Sequence, residues 1–140
     1  MNVIDFLRQP QKLDLQIKNK LIEKQQYRDI ALGITASMEG SRVSASGSKS
    51  KMADAVNRLV DIETEIDHLV DKLIDTKKEV ISTIEQVDNP IWYDVLHMKY
   101  IQYKTLQEIA DHYRKDYDWA KGTVRKARDE VVRIREKGEL

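Results

Sequence analysis

KMADAVNRLVDIETEIDHLVDKLIDTKKEVISTIEQV, residues 51–87, decides how the chain folds. Met52, Ala55, Leu59, Ile62, Ile66, Leu69, Leu73, Thr76, Val80, Thr83 and Val87 advance in alternating steps of three and four. That is a heptad seam with two Thr interruptions. Val56, Val70, Ile74, Ile81 and Ile84 widen it to the broader stripe of a helix in a bundle. At 1.5 Å per residue such a helix is roughly 50 Å long. A helix of that length cannot bury its stripe against itself, so the spacing predicts a partner.

Working outward, the stretch from Gln11 to about Ala36 supplies one. Leu13, Ile17, Leu21, Lys24, Arg28, Ala31 and Thr35 form a weaker stripe, supported by Tyr27, Ile30 and Ile34. Pro10 marks its start. Between the two stretches lies a small, polar, Ser-rich segment, expected to be a loop over about 39–50. The prediction is an antiparallel helical hairpin over residues 1–87. Its seam is Leu59, Ile62, Ile66, Leu69 and Leu73. Because the first stripe is weak, part of the long helix stays uncovered, which leaves room for a homodimer through it.

After Pro90 the composition changes. Five of the six Tyr, both Trp and two of the three His fall between Trp92 and Trp119. Such clustering predicts a compact core of short helices over 88–140. Asp88-Asn89-Pro90 reads as a helix start, with Ile91, Val95, Met98 and Leu96 inward. Thr105 with Glu108 three residues on is a capping box. Leu106, Ile109, Ala110 and Tyr113 form the apolar face of the helix it opens. Residues 114–118 read as a turn, and Asp118 is expected to cap a last helix with Val124, Ala127, Val131 and Ile134 inward. The fold class is therefore all-α: a long hairpin, then a small helical domain.

The chain of 140 residues has no Cys, which excludes disulfides, zinc–thiolate sites and Cys nucleophiles and fits a reducing cytoplasm. No apolar run approaches the ~18 residues of a membrane span, and the first residues lack the apolar core of a secretory signal. Lys and Arg number 24, as do Asp and Glu, for a net charge of zero. The total hides an uneven distribution. Residues 1–50 carry +3, residues 51–87 carry −4 and residues 88–140 carry +1. Within 114–128, six basic side chains face two acidic ones.

That basic run lies where it has a use. A helix-turn-helix sets its second helix in the major groove and reads bases with that helix's N-terminal residues. One face of the helix must be apolar to fix it, and the other basic and polar. Val124, Ala127, Val131 and Ile134 meet the first need. Lys121, Thr123, Arg125, Lys126 and Arg128 meet the second, with Thr105 and Gln107 from the preceding helix. Arg has the fork geometry for guanine.

VLHMKYIQYKTLQEIADHY followed by GTVRKARDEV resembles the promoter-reading region 4 of bacterial sigma factors. It is similar in particular to small phage and prophage late-gene regulators of the RinA and ArpU type. The matching positions are Val95, Leu96, Tyr100, Tyr103, Thr105, Glu108-Ile109-Ala110 and Gly122-Thr123-Val124. The resemblance to region 4 covers about residues 91–135, and the prophage group extends over the Ser-rich segment and heptad helix. It implies a cytoplasmic activator of late or packaging genes that binds double-stranded promoter DNA, in company with or in place of a sigma factor at RNA polymerase. In one respect the chain departs from it: the twelve positions from Ala110 to Gly122 exceed the sigma spacing by four. Either the turn is longer or the recognition helix starts a turn early.

Two other readings compete. A DNA-binding packaging adaptor, like a small terminase subunit, also joins a helix-turn-helix to an oligomerising hairpin. A module that docks on RNA polymerase would bind no DNA. Catalysis has little support: there is no HExxH, Gly-rich phosphate loop or nucleophile elbow. Glu108, His112 and His97 superficially suggest a metal site, but Glu108 has its capping role. No catalytic residue, metal or cofactor is expected.

Overall fold

The computed structural model describes residues 1–33 and 45–138. Among them are five helices and no strand: α1 (Val3–Ala31), α2 (Ala45–Ile84), α3 (Pro90–Tyr100), α4 (Leu106–His112) and α5 (Tyr117–Gly138). The fold is all-α. No described helix is long and apolar enough to cross a membrane. The helices group into two compact units, Asp14–Lys72 and Met1–Leu13 with Leu73–Leu140.

In the first of these, α1 and α2 run antiparallel. Lys20 pairs with Glu65 at 2.9 Å and Lys24 with Glu63 at 3.5 Å, so α1 ascends as α2 descends. Glu65 also accepts from Arg58 at 2.9 Å. The Lys20 ammonium and then the Arg58 guanidinium hold the Glu65 carboxyl below its usual range. Of the seam, Ile62 is fully buried and Leu59, Ile66, Leu69 and Leu73 are half-buried. On α1 the inner line passes through Ile17, Lys20, Lys24, Tyr27 and Ala31. Leu21 is 48% exposed and Arg28 is exposed, contrary to expectation. The helical period favours Lys20 and Tyr27 there, and the half-buried Lys20 reaches Glu65 with its ammonium.

α1 closes on Gly33, whose φ of +72° suits a residue without Cβ. Residues 34–44, which hold the first half of the expected Ser-rich loop, lie outside the described residues. Residues 45–50, its second half, are helical. Once a helix is nucleated, each added residue gains a hydrogen bond, and Ser is well tolerated near a helix start.

The second unit draws on both ends of the hairpin. Phe6 and Leu7 of α1, with Val80, Ile84 and Val87, share one buried cluster with side chains of α3, α4 and α5. The boundary expected at 87/88 is therefore displaced, because these side chains bury their apolar area beyond it. α1 also begins earlier than Pro10 suggests. Asn2 accepts from the Asp5 N–H at 2.8 Å and starts the helix. Pro10 sits inside it, costing a backbone hydrogen bond, but its ring is fully buried. Arg135 of α5 lies 4.3 Å over the Phe6 ring and donates to the Met1 carbonyl at 3.3 Å.

Candidate nucleic-acid interface

α3 starts where Asn89-Pro90 predicts. The Asn89 Oδ1 accepts from the N–H groups of Ile91 and Trp92 at 3.0 and 3.2 Å. Val95, Leu96, Met98 and Tyr100 are buried, whereas Ile91 is 44% exposed, contrary to expectation. At the second position of the helix, it lies outside the buried cluster.

α4 is short, and a reciprocal cap holds it. Thr105 Oγ1 accepts from the Glu108 N–H, and the Glu108 carboxylate accepts from the Thr105 N–H, both at 3.1 Å. The bond from the Thr105 backbone, then that from its side chain, keep the Glu108 carboxyl below its usual range. Ile109 and Ala110 face the core.

A four-residue turn, 113–116, joins α4 to α5. The Arg114 N–H donates to Asp111 at 3.1 Å and the Lys115 N–H to Ala110 at 2.9 Å, the two bonds of a Schellman ending. Arg114 carries the left-handed residue of that ending, with φ of +56°. An L side chain there costs roughly 1–2 kcal/mol. Arg114→Gly is therefore expected to raise stability by about 1 kcal/mol. Chemical denaturation of the two proteins should show a higher midpoint for the variant.

The alternatives left by the long Ala110–Gly122 spacing are settled by Asp116. Its Oδ1 accepts from the Trp119 N–H at 2.8 Å, and its carbonyl from the Ala120 N–H at 3.2 Å. α5 thus begins a turn early, at Tyr117. Asp118, expected to be the cap, lies inside the helix. Either Asp can cap, but Asp116 is the one that lets Ala120, Val124, Ala127 and Val131 all turn inward.

Trp119 is half-buried beside Tyr113, with ring centroids 5.3 Å apart. The Tyr113 hydroxyl donates to the Asp94 carboxylate of α3. Burial, that bond and the Asp94 charge push the Tyr113 phenol up to about 12. A raised folded value favours the protonated form. This contribution to stability is therefore complete below pH ~10 and lost as pH rises towards 12. Thermal melts across that range should show a steeper alkaline loss in wild type than in Tyr113→Phe.

The residues expected to touch DNA divide into groups. Thr105 and Gln107 are exposed on α4, where Thr105 is engaged in the cap and the Gln107 amide donates to Asp111 at 2.9 Å. Lys121, Arg125 and Lys126 are exposed on α5 and Thr123 is half-buried. Arg128 is half-buried and donates to the Tyr100 hydroxyl at 3.2 Å, which fixes its guanidinium against α3. At 100° per residue, Lys121, Arg125 and Arg128 form one stripe, while Thr123 and Lys126 lie on the other flank with Trp119. None of the four cations forms an ion pair among the described residues.

Sequence reasoning missed three features here. Tyr117, 47% exposed, occupies the first turn of α5, the part of such a helix closest to bases. The reading of residues 114–118 as a turn keeps Tyr117 off that helix. Arg8 and Lys99 were also missed. Burial, then the charges of Arg8 and Arg128, push the Lys99 ammonium below its ordinary value. No local pattern joins residues 8, 99 and 128.

A family model described as "Protein of unknown function (DUF1492)" matches residues 34–132. No curated protein and no solved structure matches the chain.

Proposed function

The chain belongs to the DUF1492 family, and from the geometry of α4, the turn and α5 we propose that it is a sequence-specific, DNA-binding transcriptional regulator. One observation carries this reading: the exposed Lys121 and Arg125, without ion-pair partners among the described residues, stand on a helix whose opposite face is anchored by Ala120, Val124, Ala127 and Val131. A rigid, half-apolar, half-basic helix capped at its start is what entry into a major groove requires. The resemblance to sigma region 4 adds the setting: a cytoplasmic activator at phage or prophage late promoters, beside RNA polymerase.

The test is a mobility-shift assay of the full chain on DNA from its own locus and on an unrelated duplex. A retarded band on the first at salt concentrations that abolish the second supports the proposal. Equal binding to both removes the sequence specificity, and no binding at low salt favours the polymerase-docking module.

The same reading includes a homodimer through α2, whose Val56 and Val60 are 50% and 60% exposed, one turn apart. Light scattering separates the two DNA-binding readings: a dimer agrees with the regulator, and a ring of many copies with a packaging adaptor.

A further inference from the structure

α2 carries two heptad lines. The one through Leu59, Ile62, Ile66 and Leu69 is the seam of the hairpin and runs from half-buried to fully buried. Val56, Val60, Glu63, Asp67 and Val70 form a second line, again in alternating steps of four and three. It lies roughly 100° further round the helix. All but the half-buried Val70 are exposed. α1 has a second line too, through Ile17, Leu21, Lys24, Arg28 and Leu32. Leu32, whose N–H still donates to the Arg28 carbonyl at 2.9 Å, ends it. Leu21, Arg28 and Leu32 are exposed, and Ile17 and Lys24 are half-buried.

Lys24 and Glu63 meet at 3.5 Å, so the two second lines border the same flank of the hairpin. The opposite flank is a polar groove, lined by Gln16, Asn19, Glu23, Thr64, Glu65 and His68. The antiparallel register that sets Lys24 beside Glu63 also sets Ile17 level with Val70, Leu21 with Asp67, Arg28 with Val60 and Leu32 with Val56. The flank is thus apolar at its two ends. Between them it is basic on α1, at Lys24 and Arg28, and acidic on α2, at Glu63 and Asp67. Two helices alone can bury one line each, and a second line on each helix is the pattern of a four-helix bundle.

We propose that this flank is covered by a second copy of the chain, so that α1 of each copy lies antiparallel against α2 of the other in a four-helix bundle. The inference rests on the homodimer of the regulator reading above and adds α1 to its interface. Charge decides the arrangement. A two-fold axis parallel to the helices sets α1 over α2 of the other copy at the same level. Lys24 and Arg28 then face Glu63 and Asp67 across the interface. Ile17 with Val70, and Leu32 with Val56, close an apolar layer at each end. A two-fold axis across the helices would instead stack α1 on α1 and α2 on α2, like charge on like. The pairing is isologous, so it closes at two copies.

The chain has no Cys, so an introduced thiol is unique. Leu21→Cys and Asp67→Cys, both at exposed sites, are made in the full chain and oxidised separately and after mixing and exchange. The expected result is a disulfide-linked pair in the mixture and little in either protein alone, because like positions lie diagonally across the bundle, beyond the ~7 Å that two Cys can span. Light scattering of wild type should give twice the mass of the chain. Lys24→Glu/Arg28→Glu and Glu63→Lys/Asp67→Lys should each scatter as monomers, keep their helix by circular dichroism, and form a dimer when mixed, since each supplies the charge the other lacks. A strong cross-link in Asp67→Cys alone sets α2 against α2 and overturns the proposal, as does a dimer that survives either charge reversal. A wild-type monomer that still retards own-locus DNA overturns the bundle and leaves the DNA-binding reading standing. The expected cross-link in a protein that retards no DNA supports the bundle and overturns the regulator.

Discussion

Alanine at Arg125 is expected to weaken binding of the full chain to its own-locus DNA by about tenfold to a hundredfold. The magnitude is that of one bidentate arginine–guanine contact, ~1–3 kcal/mol, at ~1.4 kcal/mol for each factor of ten. Arg125 is exposed, and no carboxylate among the described residues holds it, so nothing must be broken before it turns to a base. Lys126, its neighbour, stands roughly 100° further round α5, on the flank of half-buried Thr123 and Trp119. Lys126→Ala should therefore weaken binding much less than Arg125→Ala, and equally on own-locus and unrelated DNA. Titration of both variants by mobility shift checks this. Equal losses in the two would show that the two flanks of α5 do not differ in their approach to DNA. Far-UV circular dichroism should be unchanged in both, because neither side chain is part of the core.

A fragment of residues 88–140 is expected not to fold. It contains all of α3, α4 and α5, but lacks Phe6, Leu7, Val80, Ile84 and Val87, each at most 5% exposed and all in the cluster those helices enclose. A fully buried side chain of this kind contributes ~1.5–3 kcal/mol. Five of them amount to something on the order of 10 kcal/mol, comparable with the whole net stability of a typical domain. The cation–π contact of Arg135 with Phe6 is lost as well. Circular dichroism of the fragment should show little helix and no cooperative melt, against a sharp transition for the full chain. A cooperative transition in the fragment would return the boundary to residue 87.

Some elements could be read from residues alone because their signals are local and redundant. Residues 51–87 repeat their apolar steps throughout, and the α4 cap needs only Thr105 and Glu108. The start of α5 could not be read so easily. Asp116 and Asp118 are both good caps, two positions apart, and the choice depends on which register lets Ala120 reach the core. The turn before it offers no Gly to mark the left-handed position, which Arg114 fills instead. Pro10 is a breaker in isolation and a core residue in context. The basic stripe was legible as a run of Lys and Arg. Its division into two flanks was not, because it depends on the rotation of α5 fixed by packing. The charge of Arg8 acts on Lys99 across the fold, and no local pattern in the sequence joins the two.

The placement of Leu7 against a core that also holds Val131 has a consequence for synthesis. Val131 follows Leu7 by 124 positions. At translation rates of about 5–20 residues per second, that interval lasts roughly 6 to 25 s. Throughout it, Phe6 and Leu7 have no complete site to enter, and the unit they belong to cannot close until α5 has left the ribosome. Phe6 and Leu7 are thus made long before the helix that completes their shelter. The nascent protein spends its synthesis as a substrate for whatever binds exposed hydrophobic segments.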